Sequence, residues 1–255
     1  MTKRERIKRL LHGIETGDPG SVEVVNEDRY VQHNPMTGQG SIGLAELFKR
    51  LAETSPRVEI VRMFEDGAFV FGHVEYDFAE LVTGFEVFRF EDGFAVEHWD
   101  NLQHKHDKPN PSGHTMNDGP TDVVDLDQTE VNRSLIADYV NRVLIARDLS
   151  RLEHFVADGD RYIEHNPYRS DGLESLRSAL TERSPAGPSV LEYHRCHRVL
   201  AEGCFVLSCC EGSHRDDHSA LYDLFRVDDG RIVEHWDSIE AIPPRSEWKN
   251  ENGKF

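Results

Sequence analysis

The sequence lacks several features that would point to particular classes of protein. It has only four cysteines, all in the second half, and no paired Cys-x-x-Cys units, so a zinc–thiolate site is not expected. No apolar run approaches the ~18 residues that a membrane helix needs. Basic residues are scarce, at 29 against 47 acidic ones, and the resulting net charge of -18 repels phosphate groups. We therefore expect neither nucleic acid nor a membrane as a partner.

The same features predict a cytoplasmic location. The opening residues carry charge but no apolar run behind it, which does not fit a signal peptide. Cys196, Cys204, Cys209 and Cys210 have no counterparts in the first half, so disulfides are not part of a repeated design. Cysteines without a regular framework are typical of a reducing compartment.

What the sequence does contain is an internal repeat. Asp-Arg-Tyr-Val-Gln-His-Asn-Pro at 28–35 recurs as Asp-Arg-Tyr-Ile-Glu-His-Asn-Pro at 160–167. Asp-Gly-x-x-Val-Glu-His-Trp-Asp at 92–100 recurs at 229–237. A leucine-rich block ending in Ser-Pro and a Gly-x-Phe-Val block recur between them in the same order. The chain is therefore predicted to be two diverged copies of one domain.

Each copy has the pattern of an α+β domain. Apolar residues at helical spacing open each copy and recur in the leucine-rich block, which stops where proline ends a helix. The period then changes to two, in runs that indicate strands joined by turn residues. Helices followed by an antiparallel run predict helices on one face of a curved sheet. We predict one domain over 1–117 and a second over 118–255.

The last hairpin of each copy is the most informative segment. The turn Val-Asp-Asp-Gly-Arg of the second copy admits a two-residue loop, with Asp223 opposite Trp236, or a three-residue loop, with Asp223 opposite His235. Asp followed by Asp-Gly favours the longer loop, because only the glycine then needs a positive φ. The same loop in the first copy would place Glu86 opposite His98.

These hairpins predict a site for proton transfer. Each copy has a carboxylate beside an imidazole, and a further aspartate lies two residues along the strand, on the same face. Histidine titrates near neutrality, and burial can raise the pKa of a carboxyl group into the same range. A hydrogen-bonded structural pair without catalysis is the alternative. The predicted catalytic residues are Asp100, His98 and Glu86 in the first copy and Asp237, His235 and Asp223 in the second.

The His-Asn-Pro motif ends an element and begins a loop, because proline forces its predecessor into an extended conformation. A histidine in a loop at the mouth of a cavity suits contact with a ligand, and packing beside a turn is the alternative. The predicted substrate-binding residues are His33, His165 and His73, with Tyr30 and Tyr162 of the same motif.

A metal is a second use for these groups. Two histidines and a carboxylate would suit a transition metal, but the spacing contains no local metal-binding motif, and no metal is predicted. The two sets considered are His33, His98 and Glu86 in the first copy and His165, His235 and Asp223 in the second.

Two other chemistries are disfavoured. An epoxide-hydrolase site needs an arginine that bridges two aspartates, but Arg226 lies three residues from Asp223 and therefore on the opposite face of the strand. Arg89 has the same relation to Glu86. Nucleophilic thiol catalysis is not expected in both copies, because the cysteines have no partners in the repeat.

Together these motifs resemble those of the SnoaL-like polyketide cyclases. The resemblance rests on Tyr-x-x-His-Asn-Pro, on the carboxylate-x-Phe-Arg strand and on Asp-Gly-x-x-Val-Glu-His-Trp-Asp, in both halves. In particular the motifs look like the branch described as predicted aldol-condensation-catalysing enzymes. This branch belongs to the nuclear transport factor two-like superfamily, which also holds ketosteroid isomerase.

The resemblance implies two tandem cone-shaped domains, each a strongly curved antiparallel sheet wrapped round helices with a deep apolar cavity. It also implies that no cofactor is used. In the family an aspartate on the last hairpin takes a proton from the carbon next to a carbonyl group, and Asp100 and Asp237 match this aspartate. Glu86 and Asp223 stand where the cyclases often have a histidine, which is a departure from the family pattern.

We therefore expect a cofactor-independent acid–base enzyme that acts on a small carbonyl compound, as an isomerase, a cyclase or an aldol/retro-aldol lyase. A non-catalytic small-molecule binding or assembly protein and a metal-dependent lyase or oxygenase are the alternatives. The first copy is expected to be the more reactive, because it has His73 where the second has Cys209.

Two further predictions follow from the resemblance. The chain's end, 252–255, resembles the family's C-terminal tail, and 115–117 resembles an eroded copy of it. Related single-domain proteins dimerise through their sheets, so the two copies are expected to form an intramolecular pseudo-dimer, with a further homodimer as an option. Trp99 and Trp236 alternate away from the pocket histidines and are expected near that pairing surface.

Overall fold

The computed structural model describes residues 1–185, 187 and 189–255 of the chain. Contacts within the chain divide it into two compact units. The first unit is formed by Met1–His104 together with Ile242–Phe255, and the second by Lys105–Ala241. Each unit contains a five-stranded sheet and helices, so the predicted α+β fold class with two tandem domains is confirmed.

The first unit begins with an amphipathic helix whose start is fixed by a capping box between Thr2 and Glu5. Its sheet has the order β1-β5-β4-β3-β2, with β1 parallel to β5 and the other neighbours antiparallel. The elements are α1 Lys3–Thr16, a 3-10 helix Pro19–Val24, β1 Val31–Gln32, α2 Gly40–Ala52, β2 Arg57–Asp66, β3 Phe69–Asp77, β4 Leu81–Glu91 and β5 Phe94–His104.

The second unit repeats this strand order, as β6-β10-β9-β8-β7, with β6 parallel to β10. Its first long helix continues into a π-helical turn, Val140–Ile145. Short 3-10 helices cover Leu126–Gln128, Leu149–Arg151 and Gly159–Arg161, and a further one, Arg245–Glu247, follows the last strand and belongs to the first unit. The other elements are α3 Thr129–Tyr139, α4 Leu152–Phe155, β6 Ile163–Glu164, α5 Leu173–Thr181, β7 Leu191–Glu202, β8 Phe205–His214, β9 Asp217–Asp228 and β10 Arg231–Ala241.

The predicted three-residue loop of the last hairpin is wrong. Arg231 pairs with Asp228, so only Asp229 and Gly230 form the loop, and both have a positive φ, of 48° and 66°. Aspartate tolerates this conformation because its short polar side chain can bond locally, and two positive φ angles match the twist of a two-residue hairpin. The first unit has the same loop at its Asp-Gly, with φ of 52° and 83°.

The shorter loop and a β-bulge beyond it each move the pairing by one residue, so the observed pairing differs from the predicted one by two residues. The register shifts between Ile232 and Glu234 in β10, and at the corresponding place in β5. As a result Asp223 lies opposite Asp237 rather than His235, and Glu86 lies opposite Asp100 rather than His98. Because residues two apart on a strand share a face, each carboxylate pair still lies on the same face as its histidine.

The segments that follow the last strand of each copy pack away from their own copy. Ile242–Phe255 belongs to the first unit, whereas 105–117, predicted to close the first domain, belongs to the second. The compact units therefore differ from the predicted domains 1–117 and 118–255, which stay a prediction about the repeat. Among the described residues no helix has the length and apolar character needed to cross a membrane.

Candidate functional site

The first unit contains a cavity of about 210 Å³ between its helices and its sheet. Apolar side chains of α1 and α2 form part of its wall, and Arg50 lies among the lining residues. The alternation of β4 and β5 places Glu86, His98 and Asp100 on the cavity face. The other polar residues that line it are Tyr30, Gln32, Asn34, Thr37 and Tyr76.

His98 is held between two hydrogen-bond acceptors. Its Nε2 lies 2.5 Å from Glu86 Oε2, and its Nδ1 lies 2.8 Å from Gln32 Oε1. Two acceptors require two N–H donors, so this geometry fits the positively charged imidazolium. Burial favours a lower pKa for His98, but the charges of Glu86 and Asp100 outweigh it, and the pKa lies above the usual value. Tyr76 donates to the other oxygen of Glu86 at 2.7 Å.

Asp100 is buried but remains charged. Asn34 Nδ2 donates to its Oδ2 at 2.6 Å, and Lys254 Nζ lies 3.4 Å from its Oδ1. Burial alone favours a higher pKa for the carboxyl group, whereas the positive charges of Lys254 and His98 and the bond from Asn34 favour a lower one. The lowering contributions prevail, and the pKa of Asp100 lies below its usual value.

Lys254 reaches this position because the last residues of the chain are bound along the His-Asn-Pro segment. Asn250 Nδ2 donates to the carbonyl oxygens of Asn34 and Thr37, at 2.8 and 3.0 Å. Asn252 Nδ2 donates to the Gln32 carbonyl at 2.9 Å. The Lys254 side chain is only 2% exposed. The tail thus supplies the cation that faces Asp100.

The second unit repeats this arrangement around His235. Its Nε2 lies 3.0 Å from Asp223 Oδ1, and its Nδ1 lies 3.1 Å from Glu164 Oε1. Tyr193 donates to Asp223 at 3.0 Å. Burial favours a lower pKa for the imidazole, but Glu164 and Asp223 outweigh it and raise the pKa of His235 to about 10. Burial favours a higher pKa for Glu164, but the charge of His235, its hydrogen bond and the charge of Arg169 outweigh burial and lower the pKa to about 2.

The two units supply the cation beside the last aspartate from different places. In the second unit Arg169 Nη1 lies 3.5 Å from Asp237 Oδ2, and Arg169 stands at the repeat position of Thr37. Met116 occupies the repeat position of Lys254 and is buried. Burial and the neighbouring carboxylates raise the pKa of Asp237 despite this arginine. The two sites therefore share their residue types but differ in charge.

The C-terminal tail, 252–255, and its counterpart at 115–117 are aligned through one contact that occurs in both units. His33 Nδ1 lies 2.9 Å from the Gly253 carbonyl oxygen, and His165 Nδ1 lies 2.8 Å from the Thr115 carbonyl oxygen. The residue after each carbonyl is Lys254 in the first unit and Met116 in the second.

His33, predicted to bind substrate, is not among the residues that line the cavity, and His165 has the same kind of contacts in the second unit. His33 stacks on Trp99, with ring centroids 4.7 Å apart, and its Nε2 bonds Glu97 Oε1 at 3.0 Å. His165 stacks in the same way on Trp236, at 4.6 Å, with Glu234 as its acceptor. Along the extended chain Gln32 and Asn34 face the cavity, so the residue between them points away. These histidines bind the tails instead.

His73 also lies on the face opposite the cavity. Its Nε2 is 3.2 Å from Thr83 Oγ1, and its ring packs on Phe85. It pairs with Phe85, one position from Glu86 along β4, which places it on the other side of the sheet. The reason given for a more reactive first copy therefore does not hold. Tyr30 lines the cavity, and Tyr162 donates to Glu164 at 3.0 Å in the second unit.

The two sets of possible metal ligands considered from the sequence are not brought together, because His33 and His165 contact the tails instead. A different set is: ligand atoms of Glu86, His98 and Asp100 all lie within 4.8 Å of one another. A metal cation there would have to displace the proton of His98 and would meet the positive charge of Lys254. The group therefore suits protons better than a metal.

The predicted position of Arg226 is correct, since its Nε bonds Glu234 Oε2 at 2.7 Å on the face opposite Asp223. The strand pattern did not reveal Arg169, which reaches Asp237 from a loop. Strand parity therefore does not rule out a site in the second unit that pairs an arginine with an aspartate. Gln32, Asn34 and the cation of the tail were also missed, although parity around His33 could have found the first two.

The raised pKa of His235 predicts that the protein becomes less stable in mild alkali. A pKa above the unfolded value adds stability below pH ~6.5 that is lost as the pH rises through the folded pKa of about 10. We expect the free energy of unfolding, measured with urea, to fall by roughly 2 kcal/mol between about pH 7 and pH 9. A His235→Gln variant should show a clearly shallower dependence, and an unchanged slope would contradict the charged state.

Comparisons with known proteins give no family assignment. No family model matches the chain, and no curated protein matches it. Solved structures do match about one half of it. A protein proposed to be a ketosteroid isomerase, from Kribbella flavida, is 19% identical over 46% of this chain and 84% of its own, with a TM-score of 0.38.

Two other structures match in the same way. An LEH-like epoxide hydrolase from M. tuberculosis is 20% identical over 44% of this chain and 85% of its own, with a TM-score of 0.34. An NTF2-like protein of unknown function from Mesorhizobium loti is 20% identical over 48% and 98%, with a TM-score of 0.37. At these TM-scores the likeness carries no argument about this chain.

Proposed function

We propose that the first unit is a cofactor-independent acid–base enzyme that forms an enolate from a small carbonyl compound. The observation that carries this proposal is a charged, buried carboxylate, Asp100, among the residues that line a mostly apolar cavity. Because its pKa lies below the usual value, Asp100 is charged at neutral pH and can accept a proton, and the apolar wall leaves few waters to compete with a bound C–H group.

Tyr30 is the donor proposed for the carbonyl oxygen. It lines the cavity, and among the described residues its buried hydroxyl has no hydrogen-bond partner. Burial, together with the charges of Glu86 and Asp100, raises its pKa well above the usual value, so the proton stays on the hydroxyl. A fixed O–H group aimed at a developing oxyanion stabilises the transition state more than the ground state.

The proposed step moves one proton and one electron pair. Asp100 takes a proton from the carbon next to the carbonyl group, the C–H electrons form the carbon–carbon double bond of the enolate, and the carbonyl oxygen becomes the oxyanion bonded to Tyr30. His98 is one of the predicted catalytic residues, but both its nitrogens are engaged in hydrogen bonds, so it is not proposed as the acid or as the donor to the enolate. Its proposed role is to hold Asp100 charged and to keep Glu86 in position through their hydrogen bond.

The cavity suits a compact apolar ketone or aldehyde. Its walls come mostly from leucine and phenylalanine side chains, so a substrate with one polar end fits better than a polyhydroxylated one. Isomerisation, cyclisation and aldol or retro-aldol cleavage all pass through the enolate, and each is a possible outcome of the same step. The motifs shared by both halves support a tandem SnoaL-like protein as the family of this enzyme.

Deuterium exchange tests this function without knowledge of the product. Protein in D₂O is mixed with a panel of small cyclic and open-chain ketones, and NMR follows loss of the proton signal next to the carbonyl group. We expect exchange well above the buffer rate for at least one apolar ketone. Binding detected by thermal shift without any exchange would instead support the non-catalytic binding protein. Exchange that stops when EDTA removes metal would support the metal-dependent alternative.

Replacing Tyr30 by phenylalanine should separate catalysis from folding. The exchange rate should fall by about 10²-fold, because the enolate loses its donor. The free energy of unfolding should change little, since the hydroxyl has no partner among the described residues. Tyr76→Phe is the matched control: it breaks the bond to Glu86 and should cost stability of about 2 kcal/mol. Unchanged exchange in Tyr30→Phe would rule out this hydroxyl as the donor.

A further inference from the structure

Two of the four cysteines are direct neighbours across strands of the second unit. Cys196 on β7 pairs with Cys210 on β8. Residues directly opposite in antiparallel strands have Cα atoms about 4.5–5.5 Å apart, which lies within the ~4.4–6.8 Å that a disulfide spans. Both thiols are free in this structure. The backbone thus already has the spacing of a cross-strand disulfide.

The first unit has an apolar pair at the same place. Ile60 pairs with Val74, and the register shifts immediately after Ile60, as it does after Cys196. Both positions of the pair therefore differ between the two units, and both are cysteine in the second. Simple packing would need only residues of similar size, whereas two cysteines in register provide a specific chemistry.

The two thiols differ in the way that a reactive pair requires. Cys196 is partly exposed, and a hydrogen bond with Cys210 is the main cause that lowers its pKa. Cys210 is buried, and its contact with Cys196 together with burial raises its pKa well above the usual value. The thiolate is the nucleophile in thiol oxidation. Cys196 is therefore the attacking sulfur, and Cys210 the one that resolves the product.

We propose that Cys196 and Cys210 form a reversible disulfide in response to hydrogen peroxide. The Cys196 thiolate attacks one oxygen of the peroxide, the O–O bond breaks, and hydroxide leaves, so Cys196 becomes a sulfenic acid. The Cys210 sulfur then attacks the Cys196 sulfur and displaces the sulfenic hydroxyl as water, with the Cys210 proton released to it. Two thiols are oxidised, and one peroxide is reduced to two waters.

This disulfide would lie next to the site of the second unit. Cys210 is two residues from Ser208, which pairs with Asp223, and so lies on the same face of β8. Tyr193, three residues before Cys196 on β7, donates to Asp223 at 3.0 Å. A covalent bond between the two strands would fix the wall that holds this carboxylate. The first unit has no cysteine and would not respond.

Mass spectrometry of the whole chain after peroxide treatment tests the proposal. We expect the loss of two hydrogens, two of the four thiols remaining reactive toward maleimide once the protein is unfolded in denaturant, and a digest in which the Cys196 and Cys210 peptides are joined. Dithiothreitol should restore the original mass. Four reactive thiols, a bond between any other pair, or oxygen added at Cys196 without a cross-link would each overturn the proposal.

The first unit supplies matched variants for this test. Cys196→Ile and Cys210→Val introduce the residues that the first unit has, and each should abolish the cross-link. Cys209→Ala removes the adjacent buried thiol and should leave the cross-link unchanged. Ile60→Cys with Val74→Cys places the pair in the first unit, where the same register should produce a second cross-link. A double variant that folds but does not cross-link would show that this register does not permit the bond.

Discussion

Replacing Lys254 by methionine, the residue at the repeat position in the second unit, should raise the pKa of Asp100 and destabilise the protein by about 3 kcal/mol at pH ~7. Both side chains of the pair are almost fully buried, at 2% and 7% exposure, so removal of the cation leaves a charge without its main partner. The loss of stability should shrink in acid. In the variant the pKa of Asp100 is higher in the folded than in the unfolded protein, so protonation of Asp100 favours the native state.

The same variant should change the pH dependence of exchange. With Lys254 present the pKa of Asp100 is below its usual value, so the base is charged throughout the neutral range. Without the cation, the acid limb of the rate profile should move to higher pH. Lys254→Arg keeps the positive charge and should leave the acid limb at the same pH as in the unchanged protein. A limb at the same pH in Lys254→Met would show that the tail does not control the ionisation of Asp100.

Replacing Asp100 by asparagine should reduce exchange by about 10³-fold, because the amide cannot accept the proton from carbon. The substitution also leaves the buried Lys254 without its carboxylate, and a stability loss of about 3 kcal/mol is expected with it. Urea unfolding and circular dichroism at the assay temperature show how much of the protein remains folded.

A double variant separates the two effects. Asp100→Asn with Lys254→Met removes both charges, so much of the lost stability should return while exchange stays absent. Recovery of exchange together with stability would mean that Asp100 acts on folding and not on the proton.

The face of each proposed catalytic residue was predictable because strand alternation is strict. The repeat identified the last hairpin of both copies, and the alternation placed Glu86, His98 and Asp100 on one face, as found. The predicted three-residue loop was wrong because aspartate has a positive φ in both hairpins. A bulge after the loop then moved the partner of Glu86 by one residue to Asp100. Bulges depend on tertiary packing and leave no clear mark in a single sequence.

The histidines of His-Asn-Pro show a different limit of sequence reasoning. Residue type suggested a ligand contact, whereas strand parity around Gln32 and Asn34 assigns His33 to the other face. The cation beside Asp100 could not be predicted, because Lys254 is 154 residues away in the sequence and its contact depends on where the tail packs. The intramolecular pseudo-dimer and any homodimer stay predictions from the resemblance.

The most direct test of the account compares Asp100→Asn with Asp237→Asn in one deuterium-exchange experiment on the same ketone. These variants remove equivalent carboxylates from the two units. Both carry the same change in net charge and are prepared in the same way, so each serves as the control for the other. The account predicts that exchange is lost in Asp100→Asn and retained in Asp237→Asn. Loss in Asp237→Asn with full exchange in Asp100→Asn would contradict it.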